Sequence, residues 1–408
     1  MMRKDYWNNG KRRCTSVEYQ HLLDQMLAIT NVRIITVTQG VIERGTVFIE
    51  GSQIKAIGEE IAIPEGAQVI DGVGKVLTPG LIDAHSHAGL DEEGFGSEGW
   101  DYNEATDPAT PWLRAIDGIN PSEMGLRDAA FNGITTVCVV PGSANVIGGE
   151  GIIIHTYGDV VDEMVVSRDA GLKVAFGENP KRVYQEQKKM PTTRMGTAAI
   201  LRENLVRATN YMAKLEQGQR DPDKAPDRDL RMETLVRVLR REIPLRAHAH
   251  RADDIMTALR IAEEFKVRIV IEHATEGQKI AGQLAQRRVP AVVGPSLSSR
   301  SKVELQQLDF ATPAVLTKAG VKVALTLDHP VIPLKYLPVV AALAVRAGLP
   351  EEEAWKAITV NPAEILGIDQ RVGSIEVGKA ADLVLWSGDP LDVRSRAEKT
   401  IIGGRLIE

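Results

Sequence analysis

The chain has 408 residues, 43% hydrophobic and 25% charged, with a net charge of −6. These are values of a globular protein with room for one large domain and a small one. The lack of a basic excess excludes nucleic acid as a main partner, no apolar run approaches the ~20 residues that span a bilayer, and two distant cysteines, Cys14 and Cys138, exclude a disulfide framework and point to a reducing, cytoplasmic setting.

Taken in chain order, residues 1–25 are polar and basic (Arg3, Lys4, Lys11, Arg12, Arg13) and lack the apolar core of a signal peptide, so they read as a disordered leader or an over-extended start. Short β signals separated by turns follow at 31–37, 45–50, 53–57 and 67–71, and the same texture returns at 381–386 and 400–407. Both ends are therefore expected to build one small β-sandwich domain, residues 27–76 together with 372–408.

Between them, at 77–371, strand-like apolar runs alternate with amphipathic helical stretches. The runs are 76–83, 134–140, 151–155, 172–177, 243–248, 268–273, 289–293 and 321–328. Such alternation predicts βα units on a parallel sheet, and eight of them predict a (β/α)8 TIM-type barrel with its active site at the C-terminal strand ends. An open doubly wound sheet competes, but no Gly-rich nucleotide loop follows the first strand. Two connections are long: 90–120, expected to form a lid or a substrate wall, and 179–232, read either as a solvated helical excursion or as a gate.

The strand ends carry the chemistry. The first run closes in His85 and His87, and alternation places both on one side, near enough to share a metal ion. The fifth closes in His248 and His250, the sixth in Glu272 and His273, the eighth in Asp328 and His329. A single histidine has many uses, but four strands presenting His or Asp at one barrel face supply the three to five N/O ligands of a Zn²⁺-type ion. His155, at the end of the third run, has no evident partner and is given a structural role.

The segment Pro79-Gly80-Leu81-Ile82-Asp83-Ala84-His85-Ser86-His87, followed by His, His and Asp at later strand ends, closely resembles the amidohydrolase superfamily of metal-dependent hydrolases. The resemblance runs from Leu27 onward and includes Asn361-Pro362-Ala363 and residues 373–384. It implies His85, His87, His248 and His273 as ligands of one or two divalent ions, Zn²⁺ first among them. Asp328 would be both ligand and proton-accepting base for a metal-activated water. His-Ala-His motifs of the family place the ligand first, which leaves His250 further out, against substrate. Many binuclear relatives carry a carboxylated lysine on the fourth strand. Lys173 lies five residues before Glu178 and is expected to face away, so Glu178 is taken as the ligand or bridge.

His273 or His250 would help to hold an oxyanion, and Arg182 and Arg194 would clamp a substrate carboxylate. The texture is nearest the imidazolonepropionase-like branch, which also contains prolidase-like dipeptidases. The expected activity is therefore hydrolysis of a C–N bond in a small amide or cyclic amide. The alternatives are a prolidase-like dipeptidase or N-acyl amino acid hydrolase, a deaminase, and a non-catalytic assembly protein, which would have lost the histidine set. A small-molecule substrate and a homo-oligomer are expected.

Overall fold

A computed structural model describes residues 26–407; the leader expected at 1–25 lies outside the described residues. The described residues open with five strands, β1 (Met26–Ile35), β2 (Val41–Glu50), β3 (Gln53–Gly58), β4 (Gln68–Asp71) and β5 (Val76–Pro79). Their inward residues, among them Ile29, Ile34, Val47, Ile49, Ile54 and Leu77, are fully buried. At roughly 1.5–3 kcal/mol for each such side chain, this face alone offers enough burial to hold the strands together.

At Gly80 the chain leaves this sheet. A Cβ there would lie 2.1 Å from Thr135 Oγ1, so only glycine lets the turn press against the neighbouring strand. Two further blocks of strands follow. The first holds β6 (Leu81–Ser86), β7 (Ile134–Val139), β9 (Ile152–His155) and β10 (Val165–Ser167). The second holds β8 (Ile147–Glu150), β11 (Leu172–Ala175), β12 (Leu245–Ala249), β13 (Ile269–His273), β14 (Ala291–Val293) and β15 (Val323–Leu325). β6 and β7 are parallel, as are β11 through β15 in sequence order.

The blocks meet where the Asp83 carboxylate of β6 accepts the N–H of Leu327, just past β15, at 3.0 Å, and Thr326 Oγ1 donates to the His85 carbonyl at 2.7 Å. At the other junction β8 runs into β9 through Gly151, whose N–H reaches the Gly171 carbonyl at 2.9 Å. Helices pack outside, giving a mixed α/β, TIM-barrel-like body. In the helix Ala252–Phe265 the buried Ile255, Ala258, Leu259 and Ala262 repeat at three- and four-residue spacing. Lys266, at φ 55°, ends it in the left-handed region.

The third barrel position departs from the expected βα unit. β9 runs antiparallel to β7, pairing His155 with Thr136 near the start of that strand. His155 therefore lies at the opposite barrel face from the other histidines, where its Nε2 is 3.1 Å from Asp382 Oδ2. A five-residue apolar run has a clear period but no direction, so the sequence could not show this reversal.

The closing strands β16 (Leu383–Trp386), β17 (Ala397–Ile402) and β18 (Arg405–Leu406) return to the first sheet. β16 pairs with β5, and all eight terminal strands join in one hydrogen-bonded sheet. The connection 90–120 is a fixed wall: Asp91 N–H bonds to His87 O, Asp101 N–H to Leu90 O, Gly142 N–H to Tyr102 O, and Asn145 to Glu104 O. The connection 179–232 is mainly helical, with helices Glu178–Glu186 and Arg194–Arg220, the second burying Leu201, Leu205 and Ala208. Among the described residues, no helix is long and apolar enough to cross a membrane.

Candidate metal centre

Parallel strands ending at one face bring their terminal side chains together. His85 Nε2 and His87 Nε2 lie 3.2 and 3.3 Å from the same oxygen, Asp328 Oδ1. The His273 ring centroid is 4.8 Å from that of His85 and 4.4 Å from that of His248. His85, His273 and Asp328 each direct a ligand atom to within 4.8 Å of the others, and so do His248, His250 and His273. His273 and Asp328 adopt φ 73° and 53°, backbone conformations that side-chain-bearing residues rarely take and that tend to occur at functional sites.

The ring partners decide which nitrogens are free. His87 Nδ1 donates to the Val140 carbonyl at 2.7 Å and His273 Nδ1 to the Gly294 carbonyl at 2.8 Å. A carbonyl only accepts, so in both rings the proton is on Nδ1 and Nε2 presents a lone pair. His85 Nδ1 lies 2.7 Å from Glu272 Oε2, a carboxylate partner that fixes the same tautomer.

Burial pushes His273 down to about 3, and burial with a neighbouring histidine holds His248 and His250 well below the usual imidazole range. Burial would raise Asp328, but His273, His85 and His87 outweigh it and keep the carboxyl well below its ordinary range. For His85, burial opposes the charge and Glu272 outweighs it, raising the ring.

Buried polar atoms are normally paired, yet His248 Nε2, His273 Nε2 and Asp328 Oδ1 are buried without a hydrogen-bond partner. Unpaired imidazole nitrogens converging with a carboxylate are the donor set of a divalent ion of the Zn²⁺ type. The residues present therefore fit the ion that the resemblance implied.

Not every expected residue reaches the cluster. Glu178 heads the helix Glu178–Glu186, is partly exposed, and its Oε2 accepts the Glu304 N–H at 3.5 Å. It belongs to neither group of converging ligand atoms. Lys173, expected to face away, instead points inward: it pairs in register with Arg246, on the side of β12 that carries His248. Its Nζ is 3.4 Å from both His85 Nε2 and Glu272 Oε2. Strand parity cannot be counted on to Glu178, because β11 ends at Ala175 and Gly177 turns the chain at φ 84°. Arg182 is exposed, and Arg194 Nε is tied to Asp254 at 2.9 and 3.1 Å. His250 is not displaced outward but stacks on His273, with 4.7 Å between centroids and 16° between planes.

Three residues without a role in the sequence reading complete the surroundings. Glu272 is fully buried with Arg246 at 2.7 Å, His85 at 2.7 Å and Lys173 at 3.4 Å. Burial would raise its carboxyl, but those three partners hold it well below the ordinary range. Arg246 also donates to the Ala84 carbonyl at 2.5 Å. Glu304, from the loop after β14, faces His248 and His250. The seventh run, 289–293, carries no ligand-type residue at its end, and Glu304 comes from the loop beyond it.

Comparison with known proteins agrees with this geometry. An amidohydrolase family model matches residues 218–407. The crystal structure of an amidohydrolase from Thermotoga maritima MSB8 superposes with a TM-score of 0.91 at 49% identity, covering 94% of this chain and 99% of that one. Amidohydrolase tasK from Hapsidospora irregularis is 30% identical over 88% of this chain, which spans only 39% of that protein's length. An imidazolonepropionase from Acidiphilium cryptum is 28% identical over 86% of this chain and 89% of its own. The chain belongs to the amidohydrolase family.

Proposed function

We propose that the protein is a divalent-metal-dependent hydrolase that cleaves the C–N bond of a small amide or cyclic amide, with Zn²⁺ as the favoured ion. The observation that carries this reading is the convergence of His85 Nε2 and His87 Nε2 on Asp328 Oδ1, beside the unpaired Nε2 of His273. His85, His87, His273 and Asp328 would hold the ion, with His248 adjoining. When bound, a divalent ion supplies Lewis acidity to a carbonyl oxygen and to water.

The chain's own residues do the rest. Asp328, kept deprotonated by its histidine neighbours, accepts the proton of the attacking water and returns it to the leaving nitrogen. Glu272 holds His85, and the Val140 and Gly294 carbonyls hold His87 and His273, so no ring must reorient during turnover. Tyr102, 5.6 Å from the His87 ring, closes the wall that shields the site. The relatives named imidazolonepropionase support a cyclic amide as the substrate class.

Asp328→Asn tests the base. A screen of cyclic amides first identifies a substrate, and the variant's kcat should then fall by ~10²–10⁴-fold. Elemental analysis should still find the ion on the histidines. Retained turnover would overturn the assignment.

A further inference from the structure

His329 stands beside the proposed base and has no part in the mechanism above. Its side chain is fully buried, and neither ring nitrogen has a hydrogen-bond partner. Nε2 lies 3.5 Å from Glu123 Oε1, on a carboxylate that is itself 1% exposed. At that distance the attraction is electrostatic rather than a hydrogen bond, and the exclusion of water strengthens it.

Glu123 is not free to move. It caps the helix Met124–Phe131, with Oε1 accepting the Gly125 N–H and Oε2 the Leu126 N–H, both at 2.9 Å. Gly125 leaves the space for the ring, since a Cβ there would lie 2.4 Å from His329 Cε1 and 2.5 Å from Nε2. The imidazole thus packs directly on the first turn of the helix. Backbone contacts close the circuit: Glu123 N–H reaches Asn120 O at 3.2 Å, Asn120 N–H reaches Gly89 O at 2.9 Å, and His87 N–H reaches His329 O at 2.9 Å.

Asp328 needs such an anchor. Its φ of 53° is a conformation that persists only where the surroundings impose it. Thr326 Oγ1 accepts the Asp328 N–H at 3.1 Å, and Val331 N–H reaches the Asp328 carbonyl at 2.9 Å. Both of these restraints are local to the turn. The His329 ring, set against Glu123, ties the next residue to a separate element.

We propose that Glu123 is a positioning residue: through His329 it holds the backbone at Asp328, and so aims the Asp328 carboxylate at His85 and His87. The inference rests on the metal-hydrolase reading, in which that carboxylate is both ligand and base.

The full chain is stripped with chelator and titrated with Zn²⁺ by calorimetry, and kcat and KM are measured on the substrate that the screen identifies. All variants are compared at native circular dichroism. Glu123→Asp keeps a preferred capping residue but withdraws the carboxylate from the ring, whereas Glu123→Gln keeps the shape and removes the charge. Each should lower kcat by ~10–100-fold with KM within about twofold, and weaken Zn²⁺ by ~10–100-fold. His329→Phe should do the same. Combined with Glu123→Gln it should lose no more than either change alone, because the two side chains act as one. Lys335→Met is the control. The Lys335 ammonium ties the same segment to the same helix at Asp128, 2.8 Å away and in solvent, and its removal should alter neither kcat nor Zn²⁺ affinity.

Wild-type kcat and Zn²⁺ affinity in both Glu123 variants, additive losses in the double variant, or an equal loss in Lys335→Met overturns the inference. A wild-type chain that binds the ion and hydrolyses nothing in the screen counts against the proposed activity alone, and the Zn²⁺ affinities still decide the role of Glu123. A wild-type chain that takes no ion overturns both.

Discussion

Replacing Glu272 with glutamine removes one negative charge from a site with no solvent access. The carboxylate stands 2.7 Å from the Arg246 guanidinium, 2.7 Å from His85 Nδ1 and 3.4 Å from the Lys173 ammonium, and all these side chains are at most 1% exposed. Breaking a buried pair by removing one partner costs about 3–5 kcal/mol, because the other charge remains buried and uncompensated. With a urea slope of ~2–3 kcal/mol/M, the metal-free midpoint should drop by roughly 1–2.5 M, followed by tryptophan fluorescence.

A second effect is independent of stability. The glutamine carbonyl keeps Arg246, so its amide N–H faces His85 Nδ1 and drives that ring's proton onto Nε2, where the ion would bind. Zn²⁺ affinity should therefore fall by ~10–100-fold. The folded Glu272 pKa is depressed, so its contribution is fully present above the unfolded value of about 4.5 and fades only as acid approaches the lower folded value. A midpoint shift under about 0.3 M, less than ~1 kcal/mol, would refute the buried charge cluster as described. Full recovery of stability in a Glu272→Met, Arg246→Met, Lys173→Met triple variant would support it.

Other outcomes follow from the same geometry. Asp83→Asn puts an amide donor against the Leu327 N–H and should cost ~1–3 kcal/mol in urea unfolding by loosening β6 from β15. Burial raises the Asp83 carboxyl to about 6, above its ordinary 3.8, so the fold binds this proton more tightly than the unfolded chain. Wild-type stability from this group should fall as pH rises between those values, and the variant should lose that slope. Gly294→Ala sets a Cβ 2.1 Å from the Thr326 carbonyl oxygen and displaces the carbonyl that fixes the His273 ring. Zn²⁺ affinity should drop ~10–100-fold in calorimetry, and unchanged affinity would show that the carbonyl does not set the tautomer.

The histidines and Asp328 were legible because each stands at the end of an apolar run, and βα alternation sends those ends to one face. What remained hidden depends on geometry that no local period encodes. The inward turn of Lys173 follows from register with Arg246 across two strands and from the break at Gly177. Glu304 lies well past the end of β14, in a loop whose path is set by contacts with Glu178 and Lys302. The reversal of β9 leaves its apolar pattern untouched, so the structural role given to His155 came without its partner, Asp382, at the opposite face. Glu272 stood beside a recognised ligand, but its role depends on Arg246 and Lys173, partners far away in the chain.

The seat of β5 between β1 and β16 bears on how the protein is made. The strand running straight into the first two histidines has one flank covered early in synthesis and the other only when β16 emerges. Trp386 Nε1 then donates to Thr78 Oγ1 across 308 residues of sequence. Contacts of such separation form late, and until then the uncovered edge of β5 is open to pairing with other chains. A ribosome that stalls before β16 would therefore leave a nascent chain carrying its first histidine pair beside a sticky edge. Chaperone demand should be concentrated in that interval.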